Sequence, residues 1–215
     1  KLFEAGELDS FNVVPSDAEG YKKYVKGDDD KGTVQNPAHP SCSGVVSTGS
    51  STYVGYFNYN RATWEYNEKK NKKSYQQKLN TAIAVGNADF RKGFLYGVKV
   101  DEYLKSISAD PYQRLARFYT CAELCKDASG KDYTEYVEDV FNEKQNTTGV
   151  HLSGFKQGSD PVFNIEKAKA SFKKAKEDLI KSGKLKESDF PIKVDVLGDM
   201  DVETRAYETA MYKAI

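Results

Sequence analysis

The side chains able to do the most chemistry in this chain are few and scattered. His39 and His151 are its only histidines, and Cys42, Cys121 and Cys125 its only cysteines. A nucleophile with its base, or a tetrahedral metal site, needs such groups to converge. Cys121 and Cys125 stand four apart and share a face if that stretch is helical. Two more metal ligands would have to come from distant histidines, so the thiols read as free and no metal is expected. An odd number of cysteines is no disulfide framework. Asp28–Asp30 is a run of three carboxylates without the spaced ligands and closing Glu of a calcium loop, and reads as a solvated turn. No G-x-x-x-x-G-K-[ST] loop, G-x-G-x-x-G fingerprint or G-x-S-x-G elbow occurs. With 32 acidic residues a hydrolytic carboxylate pair stays open as a distant alternative, but nothing singles out a pair. The balance points to binding rather than catalysis, with no cofactor.

The sharpest local feature is TYVGYFNYNRATWEYN, which carries Tyr53, Tyr56, Phe57, Tyr59, Trp64 and Tyr66. Rings of this kind serve a core strand or a ligand platform, because they are large, stiff and amphipathic. Thr52 to Tyr59 alternates well enough for a strand, with Tyr53, Gly55, Phe57 and Tyr59 on one side and Thr52, Val54, Tyr56 and Asn58 on the other. Fifteen Tyr against two Met extend the theme to the whole chain; a wet binding surface and a Tyr-rich core both use such residues.

The elements that must position these residues follow from pattern. Residues 1–8 read as a helix end, and FNVV (11–14) as a short strand before Pro15. Ser16 with Glu19 fits a capping box, giving a helix to about Lys26. Residues 27–51 are a Gly-, Pro-, Ser- and Asp-rich loop, and 60–75 a polar surface excursion. A helix is expected over 87–98, started by Asn87 or Asp89, with Phe90, Phe94, Leu95 and Val98 as its apolar face. Asp101 caps a short helix, DEYLKSI, and RLARFYTCAELCK and DYTEYVEDVFNEK carry helical patterns. The clearest helix is 164–183, with Asn164 as cap, Gly183 as stop, and Ile165, Ala168, Phe172, Ala175 and Leu179 recurring every three or four residues. PIKVDVL (191–197) reads as a strand and 201–215 as a final helix. This order indicates a mixed α/β fold.

At 215 residues the chain can bury a substantial core. Lys plus Arg equals Asp plus Glu, so no broad positive field exists for nucleic acid or anionic lipid. No segment approaches the roughly 18 apolar residues of a membrane span. Both ends read as cut, which suggests a piece of a longer protein whose targeting signal lies elsewhere.

Four segments together resemble one family. FEAGELD followed by a short strand and Pro15 is similar to the x-x-G-x-x-D helix end of the extracytoplasmic oligopeptide-binding proteins of ABC importers (the peptide and nickel class of bacterial solute-binding proteins). TYVGYFNYN resembles that family's aromatic strand ending in Phe-Asn or Ile-Asn. NADFRKGFLYGVKVDEYL resembles its D-x-R-x-A-x-x-x-A-x-[DN]-R helix pair, with Asp89 and Arg91 in place and Gly93 and Gly97 for the small residues. FNIEKAKASFKKAKEDLIKSG, then PIKVDVL, resembles its later helix and strand. The Lys-rich insert from Glu68 to Val85 most resembles Gram-positive members.

The resemblance implies one lobe, residues 1–215, of a two-lobed binding protein with a type II periplasmic-binding-protein fold, a mixed sheet flanked by helices. It implies an oligopeptide ligand, a missing first lobe of the same chain and an ABC importer permease as partners. The implied place is outside the membrane of a Gram-positive bacterium, lipid-anchored through a part beyond these residues. By register against the family, Val54, Tyr56 and Asn58 face the cleft, Tyr53, Phe57 and Tyr59 the core. Arg91 holds the lobe together, and Trp64 and Tyr66 form a lid or a covered loop edge. The family's Asp-Tyr-x-[DE]-Pro anchor for the peptide amino terminus is absent here, so these residues alone are expected to bind peptide feebly. A non-peptide solute, or a signalling peptide at a receptor, are the alternatives within the same fold.

Overall fold

Capping chemistry sets where the helices begin. In the computed structural model, which describes residues 1–13, 17–45, 54–63, 73–100, 102–103, 124–146, 162–196 and 202–215, the elements in chain order are α1 (Ala18–Tyr21), running on into a π-helical turn (Lys22–Lys26), α2 (Tyr75–Gly86), α3 (Ala88–Gly97), α4 (Tyr133–Gln145), α5 (Ile165–Lys181), a 3-10 turn (Glu187–Asp189) and α6 (Val202–Tyr212). The chain divides into two compact units, Lys1–Thr52 with Asp101–Gly158, and Tyr53–Val100 with Ser159–Ile215. Tyr53, Trp64, Tyr66, Asp101, Cys121 and His151 lie outside the described residues, as does all but the end of RLARFYTCAELCK.

In the second unit three side chains satisfy the first amides of three helices. Ser74 accepts from the Gln77 amide while the Gln77 side chain accepts from the Ser74 amide, a reciprocal cap for α2. Asn87 accepts from Phe90 at 3.0 Å to start α3, and Asn164 from Lys167 at 2.9 Å to start α5. Beyond the end of α5, Gly183 takes φ +69°, a conformation that suits glycine. The apolar faces of α2, α3 and α5 then meet in a core of Ala84, Val85, Phe90, Ala175, Leu179 and Leu185, with Phe57, Phe94, Phe172, Ile192 and Val194 packed on it. Burying a side chain such as Leu179 contributes about 1.5–3 kcal/mol. The approach of α3 to α5 needs Gly93, since a Cβ there would lie 2.5 Å from the Phe172 ring.

The first unit is held by rings and polar ties. Tyr24, in the π-helical turn, has Phe3, Phe11 and His39 around it at ring-centre distances of 6.4, 5.4 and 5.0 Å. Its hydroxyl donates to Glu4 at 3.1 Å, and the Lys23 ammonium meets the same carboxylate. The loop after Gly27 returns so that Ala38 and His39 donate to Val25 and Tyr24 carbonyls. Asp17 caps this helix, accepting from the Gly20 amide, while the expected Ser16 cap lies outside the described residues. Residues 1–7 make helical-type turns, with Ala5 donating to Lys1 and Glu7 to Leu2.

The expected mixed sheet of a type II binding-protein lobe is overturned: the structure is helical. Among the described residues there is no strand, only an isolated antiparallel bridge between Lys126 and Asp132. Residues 11–13, 54–58 and 192–196 are not helical, but none pairs into a ladder. Alternating aromatic and β-branched residues specify a half-buried surface, not its partner. Here Phe57, Ile192 and Val194 find their cover on the helical core. Side chains take over part of the ladder's role, as Thr81 Oγ1 donates to the Lys193 carbonyl at 2.8 Å. Of the excursion expected over 60–75, residues 64–72 lie outside the described residues; Thr63, Ser74 and Tyr75 are exposed, Arg61 is buried, and α2 begins at Tyr75 within the span read as insert.

Candidate functional site

The aromatic segment gains its geometry from α3. Asn87 fixes the start of that helix, so Arg91 and Phe94, three residues apart, lie on neighbouring positions of one face. Phe94 meets the Phe57 ring edge-on at 5.4 Å, and Phe90 and Phe172 complete the cluster at 5.4–5.6 Å. Arg91 Nη1 donates to the Val85 and Gly86 carbonyls at 2.8 and 3.0 Å. These are the last carbonyls of α2, where a cation is favoured. The same guanidinium sits 5.6 Å from the centre of the Tyr59 ring, in cation–π range.

The segment's side chains therefore sort by contact. Phe57 is half-buried on the core, and Val54 is half-buried as well. Tyr56 is 86% exposed, and Asn58 is exposed with its side-chain oxygen accepting from the Asn60 amide at 2.9 Å. Tyr59, expected in the core, is instead 58% exposed beneath Arg91. An ammonium–ring or guanidinium–ring contact tolerates water where a buried phenol would need a partner. Among the described residues, no backbone N–H or C=O of 54–58 has a hydrogen-bond partner. The segment thus offers unpaired main-chain donors and acceptors beside an exposed tyrosine, which suits an extended chain laid along it.

Beside it lies an ionic knot that pattern reading missed. Arg61, only 4% exposed, donates from Nε to Asp195 Oδ2 at 2.7 Å, and the Lys73 ammonium meets Oδ1 of the same carboxylate. The one signal for it is an acidic residue, Asp195, within the strand-like run IKVDVL. Asp89, in the first turn of α3, faces Lys174 of α5 at 2.6 Å. The hydrogen bond from that ammonium holds the Asp89 carboxyl below its ordinary value despite some burial.

Catalytic groups do not converge among the described residues. His39 packs on Tyr24 and accepts from the Ser41 amide at 3.2 Å. An open cavity of about 750 Å³ beside it mixes Glu19, Asp28 and Asp29 with Lys22 and Lys23. Cys42 and Cys125 are free thiols, and among the described residues no group of three metal-ligating side chains comes together and no helix is long and apolar enough to cross a membrane. Burial and the Glu4 hydrogen bond push the Tyr24 phenol up, while Lys23 foremost draws the Glu4 carboxyl down. These are ties within the fold.

No family model matches the chain. It is similar to the oligopeptide-binding protein AliB of Streptococcus pneumoniae, at 30% identity over 148 residues, 68% of this chain and 21% of AliB. It is similar also to the oligopeptide-binding protein AliA of the same species, at 28% identity over 166 residues, 76% of this chain and 24% of AliA. The chain thus spans about a fifth to a quarter of the length of these curated relatives.

Proposed function

We propose that this chain is part of an oligopeptide-binding protein that captures peptides outside the cell membrane and hands them to an ABC importer. The observation that carries this reading is the similarity to AliA and AliB over more than two thirds of the chain. The exposed Tyr56 and the open main chain of 54–58 support it, because extended peptides are gripped through backbone hydrogen bonds with aromatic surface alongside. The ligand-contacting edge is Val54, Tyr56 and Asn58, with Phe57 and Arg91 behind it. The remaining contacts, including the partner for the peptide's amino terminus, come from parts of the protein beyond these residues. A lipid anchor beyond them holds the protein at the membrane. The protein performs no covalent step, so its task is differential affinity: tight enough to capture, loose enough to release.

The test is calorimetry and native mass spectrometry on the full-length protein carrying this chain, purified from rich medium. Co-purifying peptides, and binding of a defined peptide pool that Tyr56→Ala weakens, are expected. Retention of a non-peptide solute, or no peptide binding under any condition, would overturn the reading.

A further inference from the structure

We infer that Arg91 is the positioning residue for the aromatic segment, deciding which of its alternating side chains face outward. The segment has no ladder to hold it, since its main chain at 54–58 makes no hydrogen bond among the described residues. Its register must come from side chains, and in an extended chain a slip of one residue exchanges the two faces. Two residues of α3 grip it at alternate positions, and Arg61, next on the same phase, is tied to Asp195 at its end. Phe94 holds Phe57 through an edge-on ring contact at 5.4 Å, and Arg91 holds Tyr59 from 5.6 Å.

The Phe94 grip is apolar and indifferent to sequence; another ring at the same place would satisfy it. The Arg91 grip is specific. Its guanidinium is fixed from behind by the two α2 carbonyls at 2.8 and 3.0 Å, so its plane is set before Tyr59 arrives. Tyr56 and Asn58 then lie on the opposite phase, Tyr56 at 86% exposure. Arg91 touches no ligand in this arrangement; it acts through Tyr59. The ligand-facing half of the inference rests on the peptide-binding reading above, whereas the positioning half rests on the geometry alone.

The experiment uses the full-length protein carrying this chain and three variants, Arg91→Met, Arg91→Lys and Tyr59→Leu. Chymotryptic cleavage after Tyr56, Phe57 and Tyr59 is timed by mass spectrometry at a temperature well below melting. Affinity for a defined peptide pool is measured in parallel. Losing one cation–π contact and two charge-assisted bonds should speed cleavage after the held Phe57 by about tenfold in Arg91→Met, with sites outside 54–59 unchanged. Tyr59→Leu should do the same with a smaller change. Arg91→Lys, which keeps the cation without the fork, should fall between wild type and Arg91→Met. A general loss of stability would instead raise cleavage at every site. Unchanged cleavage at 56–59 in Arg91→Met, or an increase everywhere alike, overturns the positioning role. Peptide affinity should fall as cleavage rises. Wild-type protein that binds no peptide overturns the ligand-facing half and the functional reading, while the cleavage result still decides the positioning half.

Discussion

Helices α4 and α5 begin alike and are stabilised differently. Asp132 caps α4, accepting from Thr134 at 2.9 Å, with Glu135 reaching back to the Asp132 amide, as Asn164 caps α5. α5 buries Ala168, Ala175 and Leu179, whereas Thr134 is the only buried residue of α4. Tyr133, Tyr136 and Val140 of α4 are exposed. A turn wound round Asp127 secures its start instead: that carboxylate accepts from the Ser129 amide and hydroxyl, the Lys131 amide and the Tyr136 hydroxyl. Capping states where a helix starts, and only tertiary burial gives it most of its stability.

Substitutions can break or sharpen that contrast. The largest effect belongs to α5: Leu179→Ala is expected to cost about 2–5 kcal/mol in urea unfolding, through lost burial and the cavity left behind. Next comes its neighbour α3. Gly93→Ala forces the Phe172 ring away and should cost about 1–3 kcal/mol by the same measurement. On α4 the sensitive position is the cap, and Asp132→Ala should cost about 1 kcal/mol, seen as earlier loss of amide protection in 133–136. A Val140→Ala control on the exposed face should change stability by less than about 0.5 kcal/mol; a larger loss would remove the contrast.

The smallest effect is electrostatic. The Ser129 and Tyr136 hydroxyls foremost hold the Asp127 carboxyl well below its ordinary 3.8 in the folded chain. A depressed folded value means the unfolded chain takes up the proton first. The contribution is therefore fully present above about pH 4 and fades as pH falls through the folded value. Asp127→Asn should flatten the acid limb of the α4 transition, and carboxyl NMR titration of Asp127 checks the direction.

The same division explains what could be read in advance. Helix α5 was legible because its period, its Asn164 cap and its Gly183 stop agree. Helix α2 hides although Ser74 and Gln77 spell out a capping box, because the surrounding lysines read as a solvated excursion. Two of the three strand readings failed for a different reason. Alternation in TYVGYFNYN and PIKVDVL reports a surface that wants cover, and helices supplied it. Phe57 could be placed because ring burial is local in cause. Tyr59 could not, since its position depends on a guanidinium thirty-two residues away in sequence, 91 − 59. Arg61 was hidden for the same reason: its partner Asp195 is 134 residues distant.

That last pairing carries a consequence for how the sequence can change. Arg61 and Lys73 converge on one carboxylate, so both ends of the stretch joining them are pinned at a single point. Doubling the length of a stretch with fixed ends costs only about 0.6 kcal/mol in closure entropy. Whatever sequence joins these two cations must let both reach Asp195, and by that measure its length is the weaker constraint.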